Sequence, residues 1–386
     1  MWNEVKVDSK IKPSERRRTC MSSHCDIIYI FGGYDDEGYI GGFFSFNTIT
    51  NHWKEIKLKK EPSKRSGHSS IIIKNNFYII GGETVLSNGE TCLLNDIWKY
   101  DIKNNFWEVK TNISFDFIQK SPSPRFFHSL CSLYDKYIIL FGGFDTKECF
   151  NDMYFFDVEN TEWDTILLED QFGVLPKPML SHSSIGYLDS VFIYGGEYLA
   201  DESVTKKQNL YEFNFYKKHW KKIDLKTFPP RSNTSMCLFD HFILFFGGFD
   251  EEGAFQLRSS ESSQYFYNDV HIFDIWNSKL TQIENQTEKK MNERRKSQIL
   301  EDLDEIHFPL KRTKHSSAIV RDKFYVFGGV DSDFGENMND LCCFQIPKNF
   351  TQNYQFLSKN LFQNLKDGEF GDVDIRVCWN EVHWPF

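Results

Sequence analysis

The sequence predicts an all-β chain arranged as a ring of six four-stranded antiparallel sheets, and three observations predict it. An apolar run ending in Gly-Gly recurs six times, at Gly32-Gly33, Gly81-Gly82, Gly142-Gly143, Gly195-Gly196, Gly247-Gly248 and Gly328-Gly329. The same strand-like segments surround every pair in the same order, the mark of a repeated supersecondary unit. The one segment that the sixth copy lacks stands at the other end of the chain. First glycines lie 49, 61, 53, 52 and 81 residues apart, so the last interval also holds an insertion.

Each unit opens with a strand start that usually carries histidine: His68, His128, His182 and His315, with Thr19 and Thr234 in the first and fifth copies. Three residues earlier stands Arg16, Arg65, Arg125, Arg231 or Arg312, whereas the fourth copy reads PKPMLSH. The second strand is the run before the glycines: IIYIF, FYII, IILF, VFIY, ILFF or FYVF. Such runs are continuously apolar rather than alternating, as a sheet buried on both faces between like sheets requires. The glycine pair suits a strand exit with no room for Cβ, or with φ > 0.

The third strand follows a variable loop and reads GGFFSFN, NDIWKYD, NDMYFFD, QNLYEFN, NDVHIFD or NDLCCFQ. Six residues past its end, Trp53, Trp107, Trp163 or Trp220 begins a short fourth strand, and Leu280 takes that place in the fifth copy. The sixth copy has Thr351 there, but WNEVKV at Trp2–Val7 reads as an orphan fourth strand. It lies 14 residues before Arg16, close to the 12 that separate Trp53 from Arg65. We therefore expect the N-terminal strand to complete the last sheet. A ring latched in this way leaves few open edges.

Two segments stand apart. Residues 284–306 are densely charged, with Ile299, Leu300, Leu303 and Ile306 on one helical face, and read as a disordered or transiently helical loop. The last 34 residues, 353–386, contain no Gly-Gly pair. They read as an amphipathic helix (Leu357, Leu361, Phe362, Leu365), a turn, and the strand DVDIRV.

The double glycine, the aromatic third strand and the tryptophan at fixed offset resemble the kelch repeat over residues 1–346. The resemblance implies a six-bladed β-propeller, here occupying residues 1–352, and a protein partner held at a loop-lined mouth. The tail from 353 resembles the opening of a BTB/POZ domain, with Phe370, Asp372, Val373, Ile375 and Val377 on its pattern. A whole domain of that kind needs roughly 80 further residues, so this reading expects a truncated α/β tail. Kelch repeats ahead of BTB resemble the leucine-zipper-like transcriptional regulator type. That likeness implies a substrate receptor of a cullin-RING ubiquitin ligase, with cullin bound only if the BTB domain is complete. Two other readings stay open: a standalone kelch scaffold in cytoskeletal, trafficking or small-GTPase complexes, and a galactose-oxidase-like enzyme. The last would need Tyr and His meeting on the axis, and normally a secretion signal.

Composition narrows the function. The formal net charge is −10 and the isoelectric point about 5.6, which argues against affinity for nucleic acid or an anionic membrane. Nine scattered cysteines without a CxxC pair signal neither a disulfide framework nor a zinc site. With no apolar N-terminal signal region, a cytoplasmic protein with reduced thiols is expected. No Gly-Gly pair continues into a phosphate loop, and no nucleophile–base pair is evident, so neither catalysis nor a cofactor is expected. The repeated histidines are explained by their place in the unit. Copies spread round a ring cannot converge on one metal.

The loops after the glycines are acidic, with Asp35, Asp145, Asp250 and Asp331 two places past the pair and Asp36 and Glu251 beside them. These carboxylates either cap turns or form a ring at one mouth that favours a partner with a basic patch. Phe144 and Phe249 share the loops. Arg65, Arg125 and Arg231 either contact the partner or pair with nearby carboxylates.

Overall fold

The computed structural model describes residues 2–110, 121–166, 174–200, 203–205, 209–226, 228–250, 266–283, 309–331 and 335–350. Residues 284–306, Glu251 and the tail from 351, with the BTB-like stretch, lie outside them. The described residues form a six-bladed propeller: each blade contains a path of four antiparallel strands, and the fourth blade adds Ser203–Thr205 at its edge. Blade 1 shows the plan, with Cys20–His24, Ile27–Asp35, Gly38–Asn47 and His52–Ile56 paired in order. The innermost strands Cys20–His24, Ser69–Ile73, Ser129–Leu133, Leu180–Tyr187, Ser235–Phe239 and Ser316–Val320 neighbour one another round a central channel.

Blade 6 takes three strands from the end of the described chain and its outermost from the N-terminus. Trp2–Glu4 pairs antiparallel with Leu341–Gln345, placing Trp2 opposite Phe344. This is the register of the first four blades, where Trp53, Trp107, Trp163 and Trp220 face Phe46, Tyr100, Phe156 and Phe213. These indoles also reach the preceding blade. Trp107 meets Phe31, Trp220 meets Phe141, Trp53 meets Phe327, and Trp2 meets Phe246 at 4.9 Å between ring centroids. Trp2 is thus a buried wedge between two blades, although it belongs to a terminus. In the fifth blade Leu280 occupies the same register opposite Phe273.

The Gly-Gly pair is the joint between blades. The amide of the second glycine donates to a carbonyl of the next blade in all six cases: Gly33 to Arg65, Gly82 to Arg125, Gly143 to Met179, Gly196 to Arg231, Gly248 to Arg312 and Gly329 to Arg16, at 2.9–3.3 Å. The last of these closes the circle from blade 6 to blade 1. At Gly142 φ is +62°, the left-handed region that favours glycine, and a Cβ there would lie 2.8 Å from His182 Cε1 and 2.9 Å from the Met179 carbonyl oxygen. Ladder register shifts by one at this point, so the bulge turns the chain out of the sheet and into the loop.

Candidate functional site

The strand exits place two sets of groups on one face of the ring: the channel mouth and the loops around it. The mouth is built by the residue just before each innermost strand's His or Thr. Arg18, Gly67, Phe127, Ser181, Asn233 and Lys314 are all left-handed, with φ between 53° and 62°. A chain of backbone hydrogen bonds holds them there: Arg18 donates to Lys314, Gly67 to Arg18, Phe127 to Gly67, Ser181 to Phe127 and Asn233 to Ser181, at 2.8–3.3 Å. Five of the six are non-glycine residues that resist this conformation, so these bonds between blades fix it, and they direct a side chain at the opening from every blade except blade 2, where Gly67 stands.

Below the mouth lies a cavity of about 230 Å³ lined by innermost-strand serines and histidines. The hydroxyls of Ser129 and Ser316 are buried there without a protein partner. At the seam of blades 6 and 1 the mouth is cationic. Burial and the nearby Arg18 and Arg17 guanidiniums push the Lys314 ammonium down to about 8. Arg18 lies 3.6 Å from Glu83 and over the Phe127 ring, with its Nε buried and unpartnered.

The repeated histidines are structural. His68 Nε2 lies 3.1 Å from the Phe31 carbonyl, and His182 Nε2 3.1 Å from that of Phe141, each reaching back to the strand that ends in the preceding blade's glycines. Burial pushes His68, His128 and His315 down to about 3 and His182 down to about 4, so all four are neutral at physiological pH. Among the described residues, no group of three or more His, Cys, Asp or Glu is placed to hold a metal.

The sequence had left two readings for the arginines, and the structure selects pairing. Arg65, Arg125 and Arg231 are 1%, 2% and 0% exposed, so they are corrected from partner contacts to blade fasteners. Each forms a two-pronged pair with a third-strand aspartate, Asp96, Asp152 or Asp269, and donates to the first glycine's carbonyl at 3.1 Å. Arg312 does the same with Asp340 and the Gly328 carbonyl. The planar guanidinium matches a carboxylate's two oxygens, and burial removes competing water. Burial alone would raise the Asp269 carboxyl, but His271 and Arg231 more than offset this and hold it below the ordinary carboxylate range.

The rim aspartates divide. Asp35 Oδ1 accepts from the amides of Glu37 and Gly38, and Asp145 Oδ1 from those of Lys147 and Glu148, so both cap their turns while remaining at the surface. Asp36 is exposed, 3.6 Å from Arg17. Phe144, Phe249 and Asp250 are half-buried on the rim. Asp331 is corrected: it is 5% exposed, drawn under the rim because its strand pairs with Arg312–Thr313. These aspartates therefore stand on the rim, whereas at the mouth Arg18 and Lys314 face Glu83 and Glu197. Sequence reading missed the two cations because the position before the histidine varies between copies. That variation at a fixed backbone site was the available signal.

Comparison with known proteins agrees with this architecture. Residues 1–196 match the family model described as the KLHDC2/KLHL20/DRC7 Kelch-repeats domain. The "Leucine-zipper-like transcriptional regulator 1 homolog" of Drosophila melanogaster is 22% identical over 99% of this chain and 36% of that protein. "Kelch domain-containing protein 3" of Bos taurus is 29% identical over 65% of each chain. This chain thus covers between about a third and two thirds of those relatives' lengths. Among solved structures, one titled "Structure of YjhT" superposes with a TM-score of 0.60 at 15% identity, over 86% of this chain and 95% of the other, a likeness of fold.

Proposed function

Because the chain belongs to the kelch-repeat domain family, we propose that it is a protein-interaction module that holds its partner on the loop face, over the channel mouth. The observation that carries this reading is the mouth itself. Six backbone-fixed positions hold variable residues, five of them with side chains and including the cations Arg18 and Lys314, inside a rim of surface carboxylates and half-buried Phe144 and Phe249. A fixed frame with variable tips is how rigid scaffolds carry recognition. The rim carboxylates Asp35, Asp36, Asp145 and Asp250, with Glu251 in the same loop, favour a partner whose flanks are basic. The opening favours a partner group that is anionic. The finer reading is a substrate receptor for a cullin-RING ubiquitin ligase. It rests on the BTB-like pattern from Phe370 to Val377 and on the likeness to the Drosophila protein, and makes cullin binding the task of a complete BTB domain, not of the propeller.

Affinity capture with quantitative mass spectrometry tests the module reading. The double variant Arg18→Glu, Lys314→Glu should lose a defined set of captured proteins at least tenfold while melting within a few degrees of the parent. Unchanged capture with unchanged melting would remove the mouth from the interaction. For the finer reading, captured cullin should be absent from the 386-residue chain and present on a product that continues through a whole BTB domain; cullin on the 386-residue chain alone would contradict it.

A further inference from the structure

Three cations gather at the seam of blades 6 and 1, and they are not equally satisfied. Arg17 donates to Asn337 Oδ1 at 2.8 Å and lies 3.6 Å from Asp36. Arg18 has Glu83 at 3.6 Å, beyond hydrogen-bond reach, and its Nε is buried without a partner, so its guanidinium keeps N–H groups to give. Glu83 itself takes the Ser66 hydroxyl at 3.2 Å. Lys314 is half-buried between the buried Thr313 and His315. Among the described residues no carboxylate stands within ion-pair distance of its ammonium, and Glu197 acts on it from farther off. The Arg18 amide donates to the Lys314 carbonyl at 2.9 Å, which sets the two residues side by side, and both line the cavity of about 230 Å³. An amine and a guanidinium with donors to spare therefore share one space, and that space lacks an anionic acceptor between them.

We propose that Lys314 is a carbon dioxide-binding site, its ε-amine forming a carbamate that Arg18 holds. The lone pair of the neutral Nζ attacks the carbon of carbon dioxide. An N–C bond forms, one C–O π pair moves onto oxygen as negative charge, and one N–H proton leaves to water. No oxidant or reductant is needed. The product supplies what the seam lacks: a planar pair of oxygens for the Arg18 fork, in a place where charge-assisted hydrogen bonds are strong. This selects among electrophiles, since acetylation would give a neutral amide and an aldehyde an imine, and neither offers an anion to the guanidinium. The reactive form is also at hand. Burial and the Arg18 and Arg17 charges that push Lys314 down to about 8 leave about a hundredfold more free amine at neutral pH than an ordinary lysine has. Carbamate formation changes the charge of the side chain from positive to negative and occupies Arg18. If the mouth captures an anionic partner group, as proposed above, carbon dioxide opposes that capture; the carbamate itself does not rest on that reading.

Chemical trapping on the full 386-residue chain tests the site without any substitution. The protein is equilibrated with carbon-13-labelled bicarbonate at mildly alkaline pH, treated with a trialkyloxonium salt to esterify carbamates, and digested for mass spectrometry. Label at Lys314 should exceed that at every other lysine at least tenfold and rise with dissolved carbon dioxide. In carbon NMR of the same mixture, the carbamate resonance should vanish in Lys314→Arg, which keeps the positive charge, and fall at least fivefold in Arg18→Gln. Label spread evenly over the lysines, with Lys314 no richer than the rest, would overturn the proposal, as would a resonance that survives in Lys314→Arg.

Discussion

Blades 3 and 4 solve the same joint with different chemistry. In blade 3 the Arg125 guanidinium is buried, paired with Asp152 and stacked 4.1 Å from the Phe150 ring centroid. In blade 4 the arginine's place is taken by Met179 and the aspartate's by Asn209. Met179 is 7% exposed and joins an apolar cluster with Met153 and Ile193. Both members of the ion pair are gone together in blade 4, whereas blade 1 keeps a buried Arg16 with Gly42 in the aspartate's place and satisfies its guanidinium with the Ser14, Gly32 and Gly41 carbonyls and the Ser14 hydroxyl. Yet the backbone bond from Gly143 to the Met179 carbonyl is 2.9 Å, the same as that from Gly82 to Arg125. The difference shows that the joint resides in the main chain. Side chains around it can be an ion pair, an apolar cluster, or, in blade 1, an arginine held by carbonyls, while the bond from Gly329 to the Arg16 carbonyl stays at 2.9 Å.

The largest effect should come from removing the piece on which ring closure depends. Trp2→Ala empties a buried site between blades 5 and 6 and should cost about 3–5 kcal/mol, read as a shift in the denaturant midpoint. If the latch were dispensable, the midpoint would not move. Next, Asp152→Ala leaves the Arg125 charge buried and should cost about 3 kcal/mol or more. The double variant Arg125→Met, Asp152→Asn copies blade 4 into blade 3 and should recover most of that loss. A double variant as unstable as the single would mean that the ion pair itself holds the blade.

Acid provides a graded test. The four buried histidines titrate in the folded protein at about 3 to 4, whereas an unfolded histidine titrates near 6.5. Between these values the unfolded chain binds protons that the native chain refuses, so stability falls as pH drops from about 6.5 toward 4. Each histidine contributes a slope of about 1.4 kcal/mol per pH unit within that window. His182→Gln should reduce the slope by about one such increment, and an unchanged slope would place the proton uptake elsewhere. The smallest expected effect is on the rim. Asp145→Lys with Asp250→Lys removes a turn cap and should cost about 1 kcal/mol while weakening partner capture in a salt-dependent way. Equal capture by parent and variant would reduce these aspartates to turn caps.

Much of this architecture is legible in the amino-acid sequence. Six glycine pairs mark six blades, and the missing tryptophan of the last copy points to Trp2, because a register that must recur exposes its own gap. The partners of the arginines are less visible. Asp96, Asp152, Asp269 and Asp340 stand in the repeated Asn-Asp of the third strand, but the 27–38 residues between each arginine and its aspartate hide the pairing. The absence of both residues from blade 4 is the clue. Arg18 and Lys314 are harder still. A position that changes from blade to blade has no repeat to announce it, and its exposure depends on a left-handed backbone held by hydrogen bonds between blades. Asp331 misleads for the opposite reason: its offset from the glycines matches Asp35 and Asp145, but pairing of its strand with Arg312–Thr313 turns it inward.

The claim that the joint is a main-chain device is tested most directly by native-state hydrogen exchange at the second glycine of each pair. The amide of Gly143, which meets a blade without the ion pair, should exchange as slowly as those of Gly82 and Gly248, within about tenfold, and with the same denaturant dependence. Exchange of Gly143 faster by a hundredfold or more, with Gly82 and Gly248 still protected, would contradict the account and return the joint to the arginines.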